Sequence, residues 1–140
     1  MNEKFQISLK LLLWDKNFFL YLRDSITKAG DLPGGRIVSK NEFFNWLESL
    51  KREIQEELGH EIQYEIQPNP VFVFPHIVLK EGVEAVAVLY EGKYLGGRIR
   101  LSSEHLEYRW LHKHEDLSKY FTSTFLKGLQ DYFRLKKSEV

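Results

Sequence analysis

The spacing of apolar residues switches between a two-residue and a helical period along the chain, and this switching limits the fold more than any other feature. Phe5, Ile7 and Leu9 alternate with Gln6, Ser8 and Lys10, as on a strand with one buried face. An apolar run from Leu11 to Trp14 follows. After the polar turn Asp15-Lys16-Asn17, Phe18 to Leu22 gives a second strand, so residues 4–23 read as a hairpin. Residues 29–35 (AGDLPGG) form a loop, because adjacent glycines after a proline hold no regular structure cheaply. From Asn41 to Leu58 the period is helical, with Phe43, Phe44, Leu47, Leu50, Ile54 and Leu58 on one stripe and Trp46 on its flank. Ser39 or Asn41 is placed to cap the start, and Gly59 stands where a helix-ending positive φ belongs.

Further along, residues 61–67 read as a short strand stopped by Pro68 and Pro70. Residues 71–74 and 83–90 read as strands, and Glu91-Gly92-Lys93 as a hairpin turn. Gly96-Gly97 marks a bend or bulge, residues 107–111 a last strand, and residues 123–135 a closing helix. Strands, helix, strands, helix is the order of an α+β or α/β/α layout, a mixed sheet covered by helices.

With 140 residues the chain is read as one domain, 1–140. It has 0 cysteines, which excludes disulfides and thiolate metal sites. Lys+Arg and Asp+Glu are both 20, without the basic surplus expected of a partner of long nucleic acid. The polar interruptions of the first strand argue against a signal peptide, and no run is long enough for a membrane helix. The cytoplasm is the expected location.

The segment Arg52-Glu53-Ile54-Gln55-Glu56-Glu57-Leu58-Gly59 carries the chemistry. Residues three and four apart share a helix face, so Glu53 lies beside both Glu56 and Glu57. Each like-charge pair costs a few tenths of a kcal/mol on an exposed helix. All three also sit near the helix C-terminus, the negative end of the dipole. A solvated helix face explains an acidic triplet equally well. A bound divalent ion would remove both penalties, and oxygen ligands of this kind suit Mg²⁺ or Mn²⁺.

Residues 35–59, together with the lead-in Leu32-Pro33-Gly34-Gly35, resemble the Nudix box. That motif runs Gly, five residues, Glu, seven residues, Arg-Glu, an aliphatic, any residue, Glu-Glu, any residue, Gly, and an aliphatic. The match holds from Arg52 to Gly59. The hairpin before the loop, the segment Glu104 to Leu111 and the closing helix also follow the family's order. There are departures. Asn41 stands where the motif has its first glutamate, and Glu42 is the nearest replacement. Sixteen residues separate Gly35 from Arg52 where the motif has thirteen, and His60 replaces the last aliphatic.

The resemblance implies the α/β/α Nudix fold and a metal-dependent pyrophosphohydrolase. It implies Glu53, Glu56, Glu57 and the Gly34 carbonyl as ligands of Mg²⁺ or Mn²⁺, with Glu104 as a further ligand. Arg52 would pair with and orient the acidic residues. Candidates for the general base are Glu104, its neighbour His105, and Glu57. Arg23 and Arg36 are candidates for phosphate contacts, since Arg suits bidentate recognition. Tyr21, Phe72, Phe74 and Tyr90 could stack on a base but read equally as core. His76, His112 and His114 read as surface loops, without the spacing of a metal site.

The expected substrate is a small nucleoside diphosphate joined to another group: a nucleotide sugar, an ADP-ribose type, or a triphosphate. The combination of PGGR and EHLEYRWL resembles the branch acting on GDP-mannose. Neither long nucleic acid nor a membrane is an expected partner; a homodimer is possible, since many relatives pair. A nucleotide-binding regulatory module on the same fold is the rival reading, although a sensor need not retain the glutamates. An isoprenoid diphosphate isomerase of this fold would want a cysteine.

Overall fold

The computed structural model describes residues 2–138. Strands β1 (Gln6–Asp15) and β2 (Phe18–Asp24) form the expected hairpin around Lys16-Asn17, with Lys16 at positive φ. Two short strands follow in the glycine-containing loop, β3 (Gly30–Asp31) on β2 and β4 (Gly34–Arg36) on β1. Helices α1 (Lys40–Phe44) and α2 (Trp46–Leu58) precede β5 (Gln63–Ile66), β6 (Phe72–Val78), β7 (Val83–Gly96) and β8 (His105–His112). A 3₁₀ turn over Leu117–Lys119 leads into α3 (Ser123–Ser138). All eight strands belong to one mixed sheet. β1 runs parallel to β7 from Gln6↔Ala85 to Trp14↔Lys93, and β2 continues outward to β3 and β8.

Alternation along β1 sorts its side chains between two cores. Leu9, Leu11 and Leu13 meet Leu50, Ile54 and Leu58 of α2. Leu12, with Phe19 and Tyr21 of β2, meets Phe121, Phe125, Leu129 and Tyr132 around α3. Helices therefore cover both faces, as expected, and a strand buried on both faces reads as an unbroken apolar run. Burying each such Leu or Ile stabilises the fold by roughly 1.5–3 kcal/mol. One consequence departs from the sequence reading. Ser8 and Lys10, expected on a solvent face, are buried at 2% and 7% exposure.

Two elements differ from expectation. The predicted helix 41–58 is two helices. Asn45 (φ −137°, ψ 61°) breaks it, and its side chain caps back onto the Asn41 carbonyl at 2.8 Å. Ser39 caps α1 through the Glu42 amide, while Phe43 and Phe44 leave the apolar stripe and are exposed at 51% and 70%. The three extra residues are thereby absorbed ahead of α2. Likewise, Glu91-Gly92-Lys93 is no turn: β7 passes straight through it beside β1. Gly92 is there because the Glu65 carbonyl of β5 comes within 2.6 Å of where a Cβ would stand. Glu91 itself accepts hydrogen bonds at 2.6 Å from Trp14 Nε1, Tyr132 Oη and Lys136 Nζ, fastening α3 to the sheet. The turn lies earlier, at Gly82 (φ 63°), and β6 runs through Pro75 because it is an edge strand needing no second partner.

Candidate active site

Three stripes of α2 explain where its functional side chains point. Residues four apart stack on one face. Leu50, Ile54 and Leu58 enter the core; Glu53 and Glu57 face the Gly34-Gly35 turn; Arg52 and Glu56 lie on the rim. The Gly34 amide donates to Glu57 Oε1 at 2.7 Å. A Cβ on Gly34 would stand 1.9 Å from the Leu9 carbonyl oxygen, and one on Gly35 would stand 2.6 Å from the Glu53 carboxylate carbon. The two glycines thus let the loop backbone press against strand β1 on one side and the carboxylates on the other.

Arg52 binds Glu42 at 2.8 Å, Glu53 at 3.2 Å and Glu56 at 2.7 Å. Glu42 also accepts from Ser49 Oγ at 2.9 Å, so the break at Asn45 folds it back onto α2. Glu53 and Glu57 face a cleft of about 480 Å³, whereas Glu56 does not line it and is largely exposed on Arg52. Across the cleft, one ligand atom each from Glu57, Glu104 and His105 lie within 4.8 Å of one another. His105 Nε2 stands 3.6 Å from Asp31 Oδ2 and 3.8 Å from Glu57 Oε2, while its Nδ1 is buried and has no hydrogen-bond partner among the described residues.

The charges respond to this crowding. Burial pushes the Glu57 carboxyl well up, with Asp31 and Glu53 adding to the push against Lys10 and the Gly34 amide. Burial also raises Glu53, opposed by Arg52 and reinforced by Glu56, Glu104 and Glu42. Burial would lower the Lys10 ammonium, but Asp31, Glu57 and Glu53 outweigh it and raise it. Asp31 is driven the opposite way from its own burial, held low by Lys10 and His105.

Of the predicted site residues, Gly34, Arg36, Arg52, Glu53, Glu57, Glu104 and His105 line the cleft. Arg23 is not among its lining; its Nε bonds the Lys28 carbonyl at 3.2 Å. Tyr21, Phe74 and Tyr90 are buried, and Phe72 packs against the α3-side core. His112 and His114 pair ring to ring away from the cleft. Three cleft residues lay outside the sequence expectation. Buried Lys10 pairs with half-buried Asp31 at 2.8 Å, and His76 sits on β6 with Nδ1 3.1 Å from Thr124 Oγ1. Burial lowers His76 to about 4.

The layered sheet, with one acidic helix against a Pro-Gly-Gly turn, superposes on solved structures over nearly its whole length. A MutT protein from Methanosarcina mazei matches with a TM-score of 0.75 and 24% identity, covering 99% of this chain and 97% of that one. The fold is the Nudix fold. An Ap4A hydrolase from C. elegans gives a TM-score of 0.75 at 17% identity, over 96% of this chain and 99% of its own. An ADP-ribose pyrophosphatase from Streptococcus suis gives 0.66 at 16%, over 96% and 94%. No family model matches the sequence, and no curated protein does. In this chain α2 packs against the Gly34-Gly35 turn, and α1 lies between the two in sequence. Among the described residues no helix is long and apolar enough to cross a membrane.

The donor set fits a hard divalent cation. Its carboxylates, Glu57 and Glu104 with Glu53 beside Glu57, converge and hold like charges together in a low-dielectric cleft where a cation lowers their energy.

Proposed function

We propose that this chain is a Nudix hydrolase. It splits the pyrophosphate of a nucleoside diphosphate joined to a further group, such as a nucleotide sugar, an ADP-ribose type or a triphosphate. The observation that carries the reading is the pairing of Glu53 and Glu57 on one helix face with Glu104 and His105 opposite, around a glycine turn. That the fold is shared with an ADP-ribose pyrophosphatase and an Ap4A hydrolase supports the same class.

Glu53, Glu57, Glu104 and the Gly34 carbonyl would hold Mg²⁺ or Mn²⁺. Glu56, on the rim with Arg52, does not line the cleft and would join them only by turning inward. When bound, the ion neutralises pyrophosphate charge and acidifies coordinated water. The protein's own groups do the rest. Arg52 fixes the direction of the Glu53 carboxylate through a bond at 3.2 Å. Gly34 N–H fixes Glu57. Glu104 or His105 takes a proton from the attacking water, both lying on the wall facing Glu57. Arg36 lines the rim, where it meets Glu81 and Gln6 and is placed to reach a phosphate.

The test is a panel of nucleotide diphosphate derivatives with Mg²⁺. The wild type is expected to release phosphate-bearing products, and Glu57→Gln to lose that activity while remaining folded. Saturable binding without turnover across the panel would replace this reading with a nucleotide-sensing module.

A further inference from the structure

Four lysine or arginine side chains among the described residues line the cleft, and three stand at its rim with partners there. Arg52 serves three glutamates, Arg36 meets Gln6 and Glu81, and Lys80 meets Asp24 at 3.1 Å. Lys10 differs. It rises from the centre of β1, is 7% exposed, and stands on the floor between the acidic wall and α3.

An ammonium has three N–H groups. Asp31 Oδ1 takes one at 2.8 Å and the Leu32 carbonyl a second at 3.4 Å. Among the described residues no third acceptor lies within hydrogen-bonding distance. The Phe125 ring, with its centroid 6.0 Å away, is at the outer limit of a cation–π contact. The surrounding carboxylates keep the group charged. Stability alone does not account for it. A buried ion pair rarely beats apolar side chains of similar volume, and Lys10 sits beside Leu9, Leu11 and Leu12 on the same strand.

We propose that Lys10 is a substrate-binding cation, its remaining N–H donating to a non-bridging phosphate oxygen of the substrate. Asp31 serves as the anchor that aims it. This rests on the pyrophosphohydrolase reading above and adds a contact from the sheet floor to those from the helix and the rim.

The test separates an anchor from a binder. Lys10→Met keeps the stem but deprives the Asp31 carboxylate of its ammonium partner, so Lys10→Met/Asp31→Asn, which removes both charges, is compared with it and with Asp31→Asn. Folding is followed by thermal melting. Binding of the non-hydrolysable probe imidodiphosphate with Mg²⁺ is followed by calorimetry, and kcat and KM are measured on any panel substrate. The double variant is expected to fold and yet lose about 10- to 100-fold in probe affinity, the worth of a charge-assisted hydrogen bond, with KM rising more than kcat falls. Probe affinity within twofold of wild type in the folded double variant overturns the proposal, leaving Lys10 as a partner for Asp31 only. So does a loss confined to the nucleotide, since the cation then meets the attached group. If no panel member is hydrolysed but Lys10-dependent probe binding persists, the hydrolase reading fails and the assignment of Lys10 stands.

Discussion

Replacing Gly35 with alanine tests the geometry of the acidic wall at its tightest point. The new Cβ would lie 2.6 Å from the Glu53 Cδ and 2.7 and 2.8 Å from its two oxygens. Ordinary contact begins near 3.4 Å, so the carboxylate must retreat by roughly 0.8 Å. Only the end of a flexible side chain is in the way, and Gly35 does not occupy the positive-φ region, so the cost to folding is about 1 kcal/mol. Misplacing a reacting group by about 1 Å costs on the order of 100-fold in rate. Gly35→Ala is therefore expected to melt within a few degrees of wild type while losing about 100-fold in kcat/KM. Its half-saturating Mg²⁺ concentration should rise. Gly34→Ala is the contrast: its Cβ would meet backbone at 1.9 Å, at a φ of 144°, so the fold itself should suffer. The assay is phosphate release under a Mg²⁺ titration, paired with thermal melting. Turnover of Gly35→Ala within threefold of wild type, at unchanged stability, would refute the claim that Glu53 must sit where the glycine lets it.

Mg²⁺ at about 100 times its Kd should stabilise the wild type by roughly 2.7 kcal/mol, a rise of roughly 10 °C in melting temperature, and should leave Glu57→Gln unmoved. An equal rise in both would place the ion elsewhere. His76 is held near 4 in the fold against 6.5 as an ordinary histidine, so the unfolded chain binds the extra proton between those values. Stability should fall as pH drops from 6.5 towards 4, and His76→Gln should flatten that slope in denaturant titrations; an unchanged slope assigns it to other groups. Glu91→Gln, outside the cleft, is expected to lose about 2 kcal/mol in urea unfolding by weakening its bonds to Trp14 and Lys136, with kcat/KM kept. A destabilisation below about 0.5 kcal/mol would show that α3 does not depend on this knot.

The layered fold was legible because period-two and helical patterns sit on separate segments, and because Leu32–Gly35 and Arg52–Gly59 keep their spacing to the elements around them. What escaped the sequence did so for physical reasons. Lys10 continues the alternation of Gln6 and Ser8, and a period-two rule sends all three to solvent. The apolar run Leu11–Trp14 immediately beyond it was the clue that both faces are covered. Asp31 lies in a glycine-containing loop, where no periodicity reports burial. Pro75 disguised His76 as a loop residue, although an edge strand tolerates proline. Spacing placed Glu53, Glu56 and Glu57 on one patch, yet a neighbour three or four residues away differs by enough rotation to face either the cleft or the rim. Arg52 settles that choice for Glu56.

The break at Asn45 has a consequence for how the chain tolerates change in length. A continuous helix transmits every upstream insertion as rotation, about 100° for each residue added. Had α1 and α2 been one rod, lengthening its beginning would have threatened to turn Leu50 outward and Glu57 into the core. Instead α2 restarts its phase at Trp46, whatever is threaded between Gly35 and Asn45. The chain can therefore vary the mouth of the cleft in segment 36–45 while the carboxylates below keep their bearing on the sheet.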